Sequence, residues 1–319
     1  MKIYFIVTLL IAGVVVLSNS FCSNANALPK DDIALGKQLF FDTILSSNKK
    51  ISCASCHKPE FAFADTSAVS PGVFGRMGVR NTPSAMNLNS AAFFFWDGRA
   101  TTLEAQAMFP ITNPLEMNLP IDSAIERLTK NEFYNTAFQQ IFGEKPSVKT
   151  LGKALAAFQH SMETSDSPFD EWKTNDSESA VSESVKRGFE LFNGDAKCVK
   201  CHFGTDFSNT EFRNIGLFNG KNLNDSGRAA LTKNTADLGM FKIGPLRNIA
   251  LTAPYMHNGM FKTLREVIDY YDQPDKVVGD PVNRDTLLAK PLNLSEQDKQ
   301  DIENFLRSLT SVSLEKKKL

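Results

Sequence analysis

Two short segments constrain this chain more than anything else in it: Cys53-Ala54-Ser55-Cys56-His57 and Cys198-Val199-Lys200-Cys201-His202. In each, a pair of thiols separated by two residues is followed at once by an imidazole. Two thiols at that spacing match the two vinyl groups on one edge of a porphyrin. The adjacent histidine can then turn back under the ring and bind the iron axially. The spacing therefore predicts two covalently attached c-type haems. A thioredoxin-like redox pair needs no following histidine, and no βαβ pattern surrounds either segment. A zinc site would draw a second cysteine pair close by.

The ends of the chain bear on where those haems would be attached. Lys2 precedes an apolar run from Ile3 to Leu17, and a polar stretch then ends in Ala25-Asn26-Ala27. A basic start, an apolar middle and a small-x-small end describe a secretory signal peptide over residues 1–27, cleaved after Ala27. The run is shorter than the ~20 apolar residues of a membrane-spanning helix. Cys22 offers a lipid-anchored alternative, although the bulky Phe21 before it suits lipid attachment poorly. Cleavage leaves the four motif cysteines, which in an exported chain would otherwise read as two disulfides. The Lys316-Lys317-Lys318 run reads as a solvated tail. With 35 basic and 36 acidic residues, the chain has no basic stripe that would argue for nucleic acid.

The two motifs sit in two copies of one design. Gly36-Lys37-Gln38-Leu39-Phe40 leads into the first and Gly188-Phe189-Glu190-Leu191-Phe192 into the second, both with helical apolar spacing. After the motifs, Arg80-Asn81-Thr82 pairs with Arg247-Asn248-Ile249. Phe94-Phe95-Trp96-Asp97-Gly98 pairs with Tyr255-Met256-His257-Asn258-Gly259, and Thr102-Leu103-Glu104 with Thr263-Leu264-Arg265. The expected fold is mainly α: two cytochrome-c-like domains related by duplication, with long loops and few short strands. The chain length of 319 residues suits two domains. Their expected bounds are 28–170 and 184–319, joined by a Ser-, Asp- and Glu-rich linker at 171–183. Helices are expected over 121–130, 148–161, 182–192, 263–271 and 295–309, with Ser147 and Ser295 as helix-starting residues.

The duplication also asks which iron is open. Registering Leu264 on Leu103 sets Tyr271 opposite Pro110. Tyr271 has an oxygen that could bind iron; Pro110 has no donor. By this count the first haem is open and the second closed, which is the difference between a catalytic and an electron-transfer haem. Glu116, in Asn113-Pro114-Leu115-Glu116-Met117, and Gln106, on the preceding helix, lie close to Pro110 in the chain. An acid–base group beside an open ferric haem is a peroxidase pattern.

At these residues the chain resembles the bacterial di-haem cytochrome c peroxidases over nearly all of its mature length. The motifs that carry the resemblance are the two haem-attachment segments, Phe95-Trp96-Asp97-Gly98-Arg99-Ala100, Asn113-Pro114-Leu115-Glu116-Met117 and Ala253-Pro254-Tyr255-Met256-His257-Asn258-Gly259. The resemblance implies that Cys53, Cys56 and His57 hold a peroxidatic haem and that Cys198, Cys201 and His202 hold an electron-relay haem. It implies that Trp96 passes electrons between them. Glu116, helped by Gln106, would take a proton from peroxide and return it to the leaving oxygen. It also implies a calcium ion held by the Asn81 side chain and the Thr252 and Pro254 carbonyls, a donor set that suits a hard cation. The implied partners are hydrogen peroxide and a small electron donor, a cytochrome c or a copper protein; a homodimer is a further option.

Two positions depart from that pattern. Where typical members carry a distal histidine, counting back from Arg80 leads to Val73. Where the relay haem usually has a methionine ligand, the chain has Tyr271, with Met256 and Met260 as neighbouring alternatives. Both departures occur in a related enzyme, the tyrosine-ligated di-haem protein that matures the tryptophan-derived cofactor of methylamine dehydrogenase. Three functions follow as expectations. The leading one is peroxide reduction. A peroxide-dependent oxidation of protein side chains or another organic substrate is the second, and a non-enzymatic electron carrier the third. His257, in the place of Trp96, and His160 are expected to be structural.

Overall fold

The computed structural model describes residues 28–315. The expected signal peptide, Cys22 and the Lys316–Lys318 run lie outside the described residues. The chain is mainly helical: α1 (Asp32–Phe41), α2 (Leu103–Thr112), α3 (Ile121–Lys130), α4 (Glu132–Phe142), α5 (Val148–His160), α6 (Pro168–Thr174), α7 (Glu183–Asn193), α8 (Ala229–Thr232), α9 (Leu264–Asp272), α10 (Glu296–Ser308) and α11 (Val312–Glu315). The one sheet among the described residues is a two-residue antiparallel pair, β1 (Phe212–Arg213) and β2 (Phe241–Lys242). Each helix that the sequence pattern predicts is present within a residue or two of its expected ends, and the caps explain why. Ser147 and Ser295 each accept from the backbone three residues on and receive a side chain in return, closing capping boxes at α5 and α10. The equivalent helices α2 and α9 start on equivalent threonines, Thr102 and Thr263.

The apolar faces of these helices gather into two main cores. The first is built from Leu35, Leu39, Phe40, Ile111, Phe138, Leu151 and Leu155. The second is built from Val185, Phe192, Leu264, Ile268, Ile302 and Phe305. Helix α6 falls across the stretch that reads as a polar linker; its Phe169 and Trp172 are buried in the second core. Leu314 of α11 returns to the first core.

The two halves repeat each other in detail. In the first, α1 crosses α5 at Gly36, where a Cβ would lie 1.8 Å from the Ala154 carbonyl oxygen and 2.9 Å from the Cβ of Phe158. In the second, α7 crosses α10 at Gly188, where a Cβ would lie 2.0 Å from the Asp301 carbonyl oxygen and 2.9 Å from the Cβ of Phe305. Glycine is required at both places because two helix backbones touch there. The loop before α2 and the loop before α9 also match. Phe94 bridges to Ala100 as Tyr255 bridges to Phe261. Phe95 and Met256 both take positive φ, +63° and +72°.

This repeat corrects one pairing drawn from the sequence. Asn87 donates its N–H to the Met162 carbonyl at 3.0 Å, and Asn248 donates to the Leu309 carbonyl at 3.0 Å. Both asparagines adopt positive φ. The register that sets Trp96 on His257 therefore sets Asn87, not Asn81, on Asn248. The repeated Arg-Asn dipeptide is a coincidence of composition; what is repeated is an asparagine in the left-handed conformation that this residue tolerates. In the corrected register Asn81 corresponds to Lys242. The two are used reciprocally: Asn81 donates its N–H to the His257 carbonyl at 2.7 Å, and Lys242 donates to the Trp96 carbonyl at 2.8 Å. The halves thus meet across an approximate twofold axis, at the residues closest to the site.

Candidate functional site: a cavity shared by two haem-attachment segments

The two attachment segments open into one connected cavity of about 510 Å³, lined by Cys53, Cys56 and His57 from one half and Cys198, Cys201 and His202 from the other. None of the four cysteines is joined to another by a disulfide. Each segment begins as a short 3₁₀ turn, which swings the histidine round behind its cysteines. His57 Nδ1 lies 2.9 Å from the Phe63 carbonyl oxygen, and His202 Nδ1 lies 2.9 Å from the Phe207 carbonyl oxygen. With Nδ1–H donated to the backbone, each ring has its tautomer set and turns the lone pair of Nε2 outward. This is how proteins prepare a histidine for a metal. Burial holds both imidazoles below their ordinary pKa and so in the neutral, ligating form.

The sulfurs lie in a dry wall. Burial, and next its neighbour Cys56, pushes the Cys53 thiol up to about 12; burial first of all pushes Cys198 up to about 12. Uncharged sulfur in a dry wall suits a thioether, the form sulfur takes when bonded to a haem vinyl group. The donor set, the paired histidines and the shared cavity fit two c-type haems.

Pro110 of α2 and Tyr271 of α9 occupy equivalent positions, and both line the cavity. The neighbouring Tyr270 is fully buried, and its hydroxyl donates to the Ile215 carbonyl at 2.6 Å. The Tyr271 hydroxyl makes no hydrogen bond among the described residues. Burial, followed by the nearby Tyr270, Cys201 and Cys198, raises its pKa strongly. Tyr271 is therefore within electrostatic reach of the second attachment segment. Met256 also lines the cavity, whereas Met260 does not; the Met260 sulfur accepts from the Asn258 amide at 3.6 Å.

Glu116 belongs to the first segment in the same sense, since its charge raises the thiols of both Cys53 and Cys56. One of its oxygens accepts from the Asn113 side-chain amide at 2.7 Å. The other has no partner among the described residues. Burial raises the Glu116 carboxyl above its ordinary range, opposed by the Asn113 bond and by the charge of Arg99. Gln106 lines the cavity as well. Asn113 and Arg99 stand in the motifs at 113–117 and 95–100, but their residue types alone assign them no role there. Arg99 stacks over Phe95, 3.5 Å from the ring centroid, and is tied to Asp97 at 3.0 Å. The signal that could have found it is its short spacing from Trp96. Val73 is fully buried and does not line the cavity; its N–H donates to the Glu116 carbonyl at 2.7 Å, so the loop that holds it supports Glu116 from behind.

Trp96 stands where the halves meet. Its indole N–H donates to the Asn81 carbonyl at 2.8 Å, and its ring meets His257 edge-on at 6.5 Å. His257 stacks flat on Phe241 at 3.7 Å and is buried, which holds its pKa down at about 4. Asn81, Thr252 and Pro254 line the same cavity. The Thr252 and Pro254 carbonyls accept no hydrogen bond among the described residues, which leaves both oxygens available to a cation. His160 is remote and exposed, with Nδ1 2.5 Å from the Asn89 side-chain oxygen.

Comparison with known proteins gives the family and the fold. Residues 30–178 match the family described as di-haem cytochrome c peroxidase. The chain is 38% identical to the methylamine utilization protein MauG of Methylorubrum extorquens, over 89% of this chain and 80% of that one. It is 32% identical to the cytochrome-c peroxidase IdrP1 of Pseudomonas sp. strain SCT, over 95% and 91%. Among solved structures, a MauG-like protein associated with microbial copper homeostasis superposes with a TM-score of 0.80 at 31% identity, covering 91% of this chain and 92% of that one. Fold, paired attachment segments and sequence agree: this chain carries two c-type haems and belongs to the di-haem cytochrome c peroxidase family.

Proposed function

We propose that this chain is a peroxidase that reduces hydrogen peroxide to two waters, using two electrons from a small donor protein and two protons. The observation that carries the reading is the asymmetry of one cavity. At the equivalent position of the two halves, one side presents Pro110, which cannot bind iron, and the other presents Tyr271, which can. The haems supply the redox-active iron at which the O–O bond is cleaved. The chain supplies the proton handling. Glu116 is pinned through one oxygen by Asn113 and keeps the other free. A buried carboxyl with a raised pKa is a better proton acceptor than an ordinary one and can return the proton it takes. It would take the proton from the near oxygen of peroxide and deliver it to the leaving oxygen, with Gln106 holding the substrate in place. Arg99 would offset the negative charge that develops as the bond breaks. Trp96, between the halves, would carry the electrons from the second centre to the first.

His57 and His202 are the proposed proximal ligands and Tyr271 the proposed distal ligand of the second iron. Asn81, Thr252 and Pro254 are the proposed calcium site; the free carbonyls of the last two support it. Residues 28–170 and 184–319 are the proposed peroxidatic and relay halves. The proposed setting is the periplasm, after removal of residues 1–27; among the described residues no helix is long and apolar enough to cross a membrane. The donor would be a cytochrome c or a copper protein.

The second reading is peroxide-dependent oxidation of a protein side chain or another organic substrate. Two observations favour it: Tyr271 faces the cavity with its hydroxyl unpartnered, and the Val73 loop brings no histidine to the first iron. Steady-state turnover with reduced cytochrome c, compared with an organic reductant, separates the two. The first test is an absorption and EPR titration of the oxidised protein with hydrogen peroxide, without prior reduction. Peroxide reduction through an open first iron predicts a high-spin haem that reacts at once. Two low-spin haems that stay inert, even after mild reduction, would overturn the peroxidase reading and leave an electron carrier.

A further inference from the structure

The cavity is lined by six cationic side chains, Arg80, Arg99, Lys197, Arg213, Lys242 and Arg247. The four arginines are each matched to carboxylates: Arg80 to Asp97 and Asp225, Arg99 to Asp97, Arg213 to Glu211 and Asp285, and Arg247 to Asp170 and Asp206. Lys197 is exposed to solvent. Lys242 is different. Its ammonium makes no ion pair and no hydrogen bond among the described residues, and the half-buried residue lines both this cavity and a smaller pocket beside it. Burial, with no anion to oppose it, pulls its pKa down to about 8. An ammonium held in such a wall without a counter-charge is costly, and the cost is removed when an anion meets it.

The backbone fixes where this charge stands. Lys242 ends β2 and donates its N–H to the Trp96 carbonyl at 2.8 Å. Two residues further on, Gly244 lies beside the His202 ring, which the Phe207 carbonyl orients. Lys242 is thus anchored to the tryptophan between the halves and stands two residues from Gly244, beside the second proximal histidine. A c-type haem brings two anionic groups of its own, the propionate carboxylates on the edge away from the thioether bonds.

We propose that Lys242 is the counter-ion of a propionate of the haem held by His202, so that its fixed positive charge sets the potential of that haem beside Trp96. The inference rests on the two-haem reading. A cation close to the iron favours the reduced, less positive state, so losing it makes the haem harder to reduce.

The test uses the full-length holoprotein carrying Lys242→Met, which keeps length and apolar contact, and Lys242→Arg, which keeps charge. Haem content by pyridine haemochrome and fold by circular dichroism come first. Spectroelectrochemical titration then reads both haems, told apart by their high-spin and low-spin EPR signals. The expected result for Lys242→Met is about a tenfold fall in the reduced-to-oxidised ratio of the second haem at fixed potential. That fall equals a shift of about 59 mV for one electron. Lys242→Arg should restore most of it. Unchanged potentials in Lys242→Met with both haems attached would overturn the proposal, and so would a shift confined to the first haem. A gain in thermal stability with no change in either potential would show instead that the ammonium had no counter-charge. Absence of covalent haem from the wild-type protein would overturn the two-haem reading, and this inference with it.

Discussion

The N–H of Lys242 donates to the carbonyl oxygen of Trp96 across the boundary between the two halves, at 2.8 Å. Its counterpart, Asn81 to His257 at 2.7 Å, completes a reciprocal pair. The tryptophan is held further by its indole bond to Asn81. Replacing it with phenylalanine removes that bond and the more easily oxidised ring. Trp96→Phe is expected to retain both haems and the direct reaction of the oxidised protein with peroxide, while donor-driven turnover falls at least tenfold. Stopped-flow and steady-state assays on one preparation check the split. Equal loss in both would show that Trp96 serves only to dock the halves.

Glu116 offers the sharpest kinetic prediction. Glu116→Gln keeps the shape of the side chain and an oxygen for Asn113 but removes the titrating group. The rate of reaction with peroxide should fall by roughly 10²- to 10⁴-fold, the usual worth of a positioned acid–base group. In the wild type, burial raises the Glu116 pKa. The rate should therefore decline as the medium is acidified through that raised value, where the base becomes protonated, and this acid limb should vanish in the variant. A variant with the same pH profile would assign the proton transfer elsewhere.

Tyr271 is the residue whose ligation spectroscopy can decide. Tyr271→Phe removes the hydroxyl and should convert the second iron from low-spin to high-spin in the EPR spectrum. Tyr271→Met should raise its midpoint potential, because a phenolate favours Fe(III) and a thioether favours Fe(II). An unaltered low-spin signal in Tyr271→Phe would point to Met256, which lines the same wall.

The buried His257 makes stability depend on pH. Its folded pKa is held down at about 4, against an ordinary value of 6.5. Below 6.5 the unfolded chain binds a proton that the folded chain refuses, so stability is full above that pH and is lost as pH falls toward 4. The loss from this residue is up to roughly 3 kcal/mol at the acid end. His257→Phe preserves an aromatic ring to stack on Phe241 and should flatten the dependence of urea midpoint on pH across this window. Identical slopes in variant and wild type would remove His257 from the account.

The helix crossings at Gly36 and Gly188 predict equal penalties in the two halves. A methyl group at either would meet a backbone carbonyl at 2.0 Å or less, with a phenylalanine Cβ behind it at 2.9 Å. The helices must part, so Gly36→Ala and Gly188→Ala should each cost about 1–3 kcal/mol or more. Thermal denaturation of the holoprotein measures this. An unshifted midpoint in either variant would mean that its crossing is looser than described.

Much of the protein was legible before any coordinates. The Cys-x-x-Cys-His segments name their own chemistry because covalent attachment and axial ligation impose a spacing that few other functions need. The helix ends were legible at Ser147 and Ser295 because capping is a local interaction between residues three apart. The equivalence of Pro110 and Tyr271 followed from counting residues along two matching helices, which keep register from cap to cap. The Arg-Asn pairing failed for the opposite reason: in irregular loops, similar letters do not guarantee similar positions. There the deciding feature is the backbone conformation that puts Asn87 and Asn248 against Met162 and Leu309.

The sequence by itself therefore determined the cofactor class, the duplicated helical design and the equivalent pairs that lie on or beside matching helices, such as Pro110 and Tyr271. Only the tertiary structure decided that both attachment segments share one cavity, that Tyr270 is spent on the Ile215 carbonyl while Tyr271 is not, and that every arginine of the wall is paired while Lys242 stands alone. Those outcomes depend on contacts between residues far apart in the chain. Burial and charge pairing are properties of the packed molecule, and no local pattern of side chains encodes which carboxylate will reach which cation.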